Sequence, residues 1–590
     1  MLKPTVNCNQ IRKKDEGKEV VLSGWVSSWR DHGGVIFIDL RDIYGKTQVV
    51  FGRDKQEMST LDVKTKKEIL KKAHSLRNEY VVSIKGKVVA RPEGTVNKDI
   101  DTGEIEVTAL RLEILNKCSE LPFDLKKMEE VGEKTRLKYR YLEMRTGELK
   151  DNLIFKHKFM QFTRNFFSKQ KFYEIETPFL TRSTPEGARD YLVPSRINRG
   201  KFYALPQSPQ LFKQTLMIGG LMRYFQIVKC FRDEDLRQDR QPEFTQVDLE
   251  LSFTDEHQIM EILEKYIEQL FDELLNRKIK LPIQKISYRE ALNKYGTDKP
   301  DLRIPLEIFD ITKLAAECNF KVFSRVAETG VVRGLKISKD ISRSVIDKTT
   351  REVQELGAKG LAWMKHKSEG LRSQVTKFFS SGELDEIAKK FNSKKGDIIF
   401  FMADDEYIVC KTLSYLRKKF GKPEGDDYIF SWIVDYPLVE KDRETGKWKS
   451  LHHPFTAPCE KDINKLEKNP GKVKSRAYDL VLNGSEIGGG SIRIHRKEIQ
   501  DRVFDLLDIG SREREEKFGF ILKALKYGAP PHGGFAFGVD RLLTRMLDLE
   551  SIRDVIPFPK TQKAYSPLTD APGKANSKQL EELGISIDIL

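Results

Sequence analysis

The segment Gln226-Ile227-Val228-Lys229-Cys230-Phe231-Arg232-Asp233-Glu234-Asp235-Leu236-Arg237, resuming at Gln241-Pro242-Glu243-Phe244-Thr245-Gln246-Val247-Asp248-Leu249-Glu250, decides how the chain is read. An apolar strand runs into a charged loop, and a second strand leads back out. Alternation on the second strand puts Gln246, Asp248 and Glu250 on one face. Acids and amides lining one strand face would suit an ammonium group. Taken alone, the pattern is equally that of a polar edge strand.

Two further segments carry chemistry. Asp479-Leu480-Val481-Leu482-Asn483-Gly484-Ser485-Glu486-Ile487-Gly488-Gly489-Gly490-Ser491-Ile492-Arg493 sets two acids and a glycine triplet before an arginine. Glycines permit close backbone approach to a ligand, and paired carboxylates can join Mg²⁺ to phosphate oxygens. Gly533-Gly534-Phe535-Ala536-Phe537-Gly538-Val539-Asp540-Arg541 reads as a glycine-flanked strand entering a helix, with an arginine at the junction. Each glycine cluster alone fits a turn as well as a phosphate site.

The rest of the chain narrows the class. It has 590 residues, 39% hydrophobic and 33% charged, which suggests about four domains and excludes a disordered chain. No apolar run reaches the ~20 residues of a membrane helix. Met1 to Val20 lack the apolar core of a secretory signal, so a cytoplasmic protein is expected. Cys8, Cys118, Cys230, Cys318, Cys410 and Cys459 lie far apart, without CxxC or HExxH spacing. Neither structural zinc nor a disulfide framework is expected. The net charge of +15 suits a polyanionic partner such as nucleic acid, and equally a lysine-rich solvated surface.

The first hundred residues alternate as strands, with Ile36, Ile38 and Leu40 on one face and Phe37, Asp39 and Arg41 on the other. Five strands with a helix after the third give the order of an OB barrel. Phe37, on the polar face, is either a base-stacking platform or a ring packed under a loop. Arg30, Gln48, Lys85 and Lys87 could share its surface. Two amphipathic helices follow, with stripes Phe155-Phe159-Phe162-Phe166 and Ile259-Leu263-Tyr266-Leu270-Leu274. Residues 288–427 change character and read as an insertion, and the tail beyond Lys560 reads as extended.

In this order the segments resemble a class II aminoacyl-tRNA synthetase of class IIb, specifically the bacterial-type aspartyl enzymes. Motif 1 ends at Pro178, motif 2 is the opening segment, and motif 3 is Gly538 to Arg541. Ser183 to Asp190, Gln207 to Gln214 and His452-His453-Pro454-Phe455-Thr456 extend the resemblance over essentially the whole chain. It implies a multidomain α+β fold: an N-terminal OB-fold β-barrel, a class II synthetase antiparallel β-sheet catalytic domain with flanking helices, and an inserted GAD-type α+β domain. The corresponding boundaries are 1–115 for the anticodon barrel, 116–150 for a hinge, 151–287 and 428–560 for the catalytic domain, 288–427 for the insertion and 561–590 for a C-terminal extension. The motif 1 helix and the strand to Pro178 would form a homodimer interface.

The resemblance also implies an activity. Aspartate would be activated with ATP to aspartyl-adenylate and passed to the 3′ end of tRNA(Asp). Arg232, Glu486 and Arg541 would be catalytic. Asp233, Glu234, Gln241, Phe244, Gly538, Val539 and Asp540 would join them at ATP, with Asp479 and Glu486 on Mg²⁺ and no zinc. Aspartate would be held by Glu186, Ser208, Gln210, Leu211, Phe212, Lys213, Arg232, Asp248, His452 and Arg493. Arg30, Phe37 and Gln48 would contact the anticodon. Ser28-Trp29-Arg30 departs from the arginine triplet of close relatives. His32-Gly33 resembles the non-discriminating enzymes, which also charge tRNA(Asn). Asparaginyl and lysyl enzymes are the rivals within the class, and Lys213 with Arg493 argues against both. An RNA-binding paralogue without catalysis is a rival outside it, and the presence of Arg232, Glu486 and Arg541 argues against that.

Overall fold

The computed structural model describes residues 2–52, 61–145, 147–183, 187–237 and 239–588, in two compact units, Met1–Gly147 and Glu148–Leu590.

In the first unit, β1 (Glu19–His32), β2 (Val35–Arg41), β3 (Lys46–Phe51), β4 (Val81–Ala90) and β5 (Ile105–Asn116) close a barrel in the order β1-β2-β3-β5-β4. Helix α1 (Val63–His74) lies between β3 and β4 in the chain. Period-two patterning drives the closure: Ile36, Ile38 and Leu40 are fully buried, while the residues between them face outward. Gly33 (φ +63°) and Gly34 (φ +90°) supply the left-handed backbone that a two-residue hairpin loop needs. The stretch expected as a hinge, 116–150, contains the short helices Glu133–Lys138 and Arg140–Glu143 and the start of the helix Gly147–Lys169.

The second unit is built on an eight-stranded sheet. Helix α2 (Gly147–Lys169) precedes β6 (Tyr173–Glu174); α3 (Gln210–Ile218) leads to β7 (Arg223–Phe231) and β8 (Glu243–Ser252); α4 (Glu256–Leu275) leads to β9 (Gln284–Ser287) and α5 (Tyr288–Tyr295). After the inserted block come β10 (Phe430–Val434), β11 (Ala477–Leu482), β12 (Ser485–Ile492), β13 (His532–Gly538) and α6 (Val539–Met546). The spatial order is β9-β10-β11-β12-β13-β8-β7-β6, antiparallel except for the outermost pair at each edge.

Helix α4 starts where the Asp255 side chain accepts from the Gln258 N–H and ends at Asn276 in a left-handed conformation. Its stripe meets the α2 stripe over the sheet, and the Thr163 and Tyr266 hydroxyls satisfy each other at 2.8 Å inside this core. Each fully buried Leu or Phe there contributes about 1.5–3 kcal/mol.

Phe159, Phe162 and Phe166 are buried in the core, as the stripe's spacing suggests, and Tyr173, Phe179 and Leu180 are exposed apolar side chains near motif 1. Two sequence expectations change here. The start of the insertion moves beyond 288, because Ala291 of α5 lies in one cluster with Ile433 and Tyr288 packs its ring 4.9 Å from Tyr436. The tail carries a helix, Ser577–Leu583, capped by the Asn576 side chain. The inserted block has its own five-stranded antiparallel sheet, with apolar clusters around Phe400 on one face and Phe401 on the other.

Candidate active site

Strands β8, β12 and β13 form the floor of a cavity of about 560 Å³, walled by α3, the 452–455 loop and the start of α6. The glycines of the floor are there because the strands carry bulky acids between them. A Cβ on Gly534 would lie 1.9 Å from Glu250 Oε2, and one on Gly489 would lie 2.4 Å from Asp479 Oδ1.

At the dry end, two cations meet two carboxylates. Lys213 Nζ lies 2.8 Å from Asp248 Oδ2 and 3.2 Å from Glu250 Oε2. Arg493 donates to both Glu250 oxygens, at 2.9 and 3.1 Å, and its third nitrogen reaches Ser491 Oγ at 2.6 Å and His453 Nε2 at 2.7 Å. All four charged side chains are buried. Such a set is tolerable only because the charges balance. Burial pushes the Asp248 carboxyl up to about 6 even though Lys213 opposes it. Burial also acts on Glu250, but Arg493 and then Lys213 outweigh it and hold that carboxyl below its usual range. Burial together with the Arg493 charge keeps His453 neutral, its pKa well below the usual value. Asp248 Oδ1 is buried, borders the cavity and has no hydrogen-bond partner among the described residues. It is an acceptor suited to an ammonium donor.

At the wetter end, Asp479 accepts from Tyr436 Oη at 2.9 Å and lies 3.2 Å from His452 Nε2. Burial disfavours charge on His452, yet Asp479, and behind it Glu486, raise its pKa above the ordinary value. Its Nδ1 is buried without a partner among the described residues. The Arg232 guanidinium carbon sits 5.1 Å from the Phe244 ring centroid. Arg541 donates to the Glu486 carbonyl at 2.9 Å and stands 3.5 Å from Asp239. Asp479 and Glu486 are hard oxygen donors on one cavity wall. Among the described residues no group of three or more His, Cys, Asp or Glu could hold a metal ion. Two carboxylates suit an ion that takes its remaining ligands from phosphate and water, which is how Mg²⁺ accompanies a nucleotide.

Ser208, Gln210, Glu234 and Gly538 also border the cavity, as expected. Six expected residues do not serve it as the sequence suggested. Leu211 packs with Phe455 and Phe518, and Phe212 lies against Phe520, because successive helical positions rotate away from the face carrying Lys213. Val539 is buried in the sheet core, and Asp233 is bridged through its backbone to Arg189 outside the cavity lining. The Gln241 amide is engaged at both ends by the backbone of Lys560, at 2.8 and 2.9 Å. Asp540 borders the cavity, but its carboxylate is held by Lys156 at 2.5 Å and by the Thr245 N–H at 3.1 Å. Both side chains brace the frame. Glu186 lies outside the described residues. Lys299, Asp298, Tyr288 and Tyr436 line the cavity without having been singled out in the sequence, since no local pattern marks them.

On the barrel, Arg30 pairs directly across from Phe37, and Gln48 across from Asp39, so all four share the outward face. Arg30 is 3.1 Å from Asp39, and Gln48 donates to Glu106 at 3.1 Å. His32 packs edge-on to Phe37, ring centroids 5.7 Å apart.

Residues 132–562 match the family "tRNA synthetases class II (D, K and N)", and residues 20–115 match an OB-fold nucleic acid binding domain. The chain is 52% identical to the aspartate–tRNA(Asp/Asn) ligase of Aquifex aeolicus, over 99% of this chain and 98% of the relative. It is 50% identical to the protein of that name from Desulfatibacillum aliphaticivorans, with the same coverage. In fold it is similar to the asparaginyl-tRNA synthetase of Pyrococcus horikoshii with asparaginyl-adenylate (TM-score 0.59, 20% identity, 95% of this chain and 99% of that one). The Entamoeba histolytica asparaginyl enzyme gives a TM-score of 0.56 at 16% identity, again covering 95% of this chain and 99% of that one. Among the described residues no helix is long and apolar enough to cross a membrane.

Proposed function

Because this chain belongs to the class II tRNA synthetases of the D, K and N group, we propose that it is an aspartate–tRNA ligase that charges tRNA(Asp) and, through the barrel, tRNA(Asn). The observation that carries the amino-acid specificity is the buried quartet of Lys213, Arg493, Asp248 and Glu250, with Asp248 Oδ1 left without a partner among the described residues. The substrate ammonium docks on that oxygen. The substrate side-chain carboxylate meets Arg493, whose planar fork matches it, and Lys213. Asparagine presents a neutral amide that cannot offset the two cations, and lysine presents a like charge.

The α-carboxylate of aspartate attacks the α-phosphorus of ATP. The bond to the bridging oxygen breaks, and pyrophosphate leaves with the electron pair. Arg232 neutralises charge at the α-phosphate, Phe244 stacks on adenine, and Arg541 reaches the terminal phosphate. Asp479 and Glu486 would hold Mg²⁺, which would supply charge neutralisation on the phosphate oxygens. The rate comes from positioning and charge rather than from a covalent nucleophile. A 3′-terminal hydroxyl of the tRNA then attacks the adenylate carbonyl and AMP leaves. His452 closes over the bound aspartate.

Phe37, Arg30 and Gln48 read anticodon bases on the barrel, and the likeness to the aspartate–tRNA(Asp/Asn) ligases supports the wider tRNA choice. The exposed Tyr173, Phe179 and Leu180 beside the edge strand β6 support a homodimer built there. The enzyme works where tRNA and ATP are, in the cytoplasm. Charging of tRNA(Asp) and tRNA(Asn) transcripts with radiolabelled aspartate tests the reading. Label on both is expected. Label on tRNA(Asp) alone would remove the wider tRNA choice, and label on neither would remove the assignment.

A further inference from the structure

Lys299 lines the cavity beside the residues assigned to ATP and aspartate. Its ammonium lies 2.6 Å from Glu486 Oε2, one of the two carboxylates assigned to the nucleotide's cation. It stands on the wall that the cavity shares with a second, more open cavity of about 580 Å³, which Arg237, Arg240, Arg541 and Arg545 also border.

The loop that delivers Lys299 is fixed at the other end. The buried Arg417 donates to the carbonyls of Asp301 at 2.7 Å, Ile304 at 2.6 Å and Leu306 at 2.6 Å, with its guanidinium 4.8 Å from the Tyr295 ring centroid. Asp301 is held by Arg303 at 3.0 and 2.9 Å. Gly484, at the β11–β12 turn with φ +80°, abuts this loop, since a Cβ there would lie 3.1 Å from Asp301 Cβ. Arg417 belongs to the helix Glu406–Phe420 of the inserted block. The helix is itself tied to the catalytic side by Arg289–Glu406 at 2.7 Å and by Arg443, 2.8 Å from Asp405 and 4.1 Å from the Tyr407 ring centroid. Three backbone acceptors on one buried guanidinium make the loop's position a property of the insertion.

We propose that Lys299 is a positioning residue that acts through Glu486. Its ammonium stands in for the cation while the site is free, holding the carboxylate in place and discouraging a bare divalent ion. It is displaced when the ion arrives with ATP. The inserted block thereby sets the cation requirement of the catalytic site. This rests on the assignment of Asp479 and Glu486 to the cation.

The test is binding, not turnover, on the full chain. Manganese alone is titrated by electron paramagnetic resonance against wild type, Lys299→Met and Lys299→Arg, and manganese–ATP against wild type and Glu486→Gln. Lys299→Met keeps the aliphatic stem of a half-exposed side chain, so it leaves the fold standing. Removing a cation this close to a partly shielded carboxylate is expected to tighten manganese binding about tenfold or more. Lys299→Arg behaves as wild type, and the gain disappears in Lys299→Met/Glu486→Gln. A purely structural lysine would weaken or leave unchanged the binding of manganese. That result in Lys299→Met, with Glu486→Gln still weakening manganese–ATP binding, overturns the inference alone. If Glu486→Gln binds manganese–ATP as wild type does, the cation assignment fails and the inference with it.

Discussion

Replacing Arg493 with alanine removes the proposed partner of the substrate carboxylate and one corner of the buried quartet together. The guanidinium makes two bonds to Glu250 and one each to Ser491 and His453. Truncating one partner of a buried, hydrogen-bonded charge pair costs about 2–5 kcal/mol. At 1.36 kcal/mol per tenfold, kcat/KM for aspartate falls about 30- to 5,000-fold. The same change leaves Glu250 with Lys213 as its remaining cation, 3.2 Å away. Breaking a buried pair costs about 3–5 kcal/mol of stability, and the surviving lysine keeps this variant near the lower end. Aspartate-dependent ATP–pyrophosphate exchange over a range of aspartate, with thermal unfolding alongside, separates the two effects. KM for ATP stays near wild type. Arg493→Lys, which keeps charge without the fork, falls between. A folded Arg493→Ala variant within about threefold of wild-type kcat/KM would refute the reasoning.

Phe37→Ala is expected to remove about 1–3 kcal/mol of base stacking, raising KM for tRNA about 5- to 150-fold while tRNA-free exchange stays unchanged. Burial pushes the Asp248 carboxyl up to about 6, and the proposed ammonium docking needs it ionised, so kcat/KM for aspartate should rise as pH climbs through about 6. Because its folded pKa lies above the ordinary 3.8, its contribution to stability is full below 3.8 and is lost as pH rises through about 6. Asp248→Asn should therefore flatten that decline in a urea-unfolding series from pH 4 to 7, and an unchanged slope would exclude Asp248 as its source.

What the sequence made legible follows from periodicity and from side chains whose chemistry points one way. Alternation placed Ile36, Ile38 and Leu40 inside the barrel, and the α4 stripe faces the core as its spacing requires. Lys213, Asp248 and Arg493, on three separate elements, meet at one point, a grouping that the family resemblance and not local pattern suggested. Reading a run of consecutive residues as a site fails on a helix, where Leu211 and Phe212 turn away from the face of Lys213. It also fails for Gln241 and Asp540, whose polar atoms are engaged by partners about 300 or more residues away in the chain. Lys299 was invisible because it reaches Glu486 only through a loop that Arg417 holds, a contact no local pattern announces. The short strand at Tyr173 shows the limit of β-propensity at an exposed edge.

The central claim is that the Lys213–Arg493 end of the cavity selects a carboxylate side chain. ATP–pyrophosphate exchange with aspartate, asparagine and lysine side by side tests it most directly. The account predicts exchange with aspartate and background with the other two. Exchange with asparagine or lysine at a rate comparable to aspartate would contradict it.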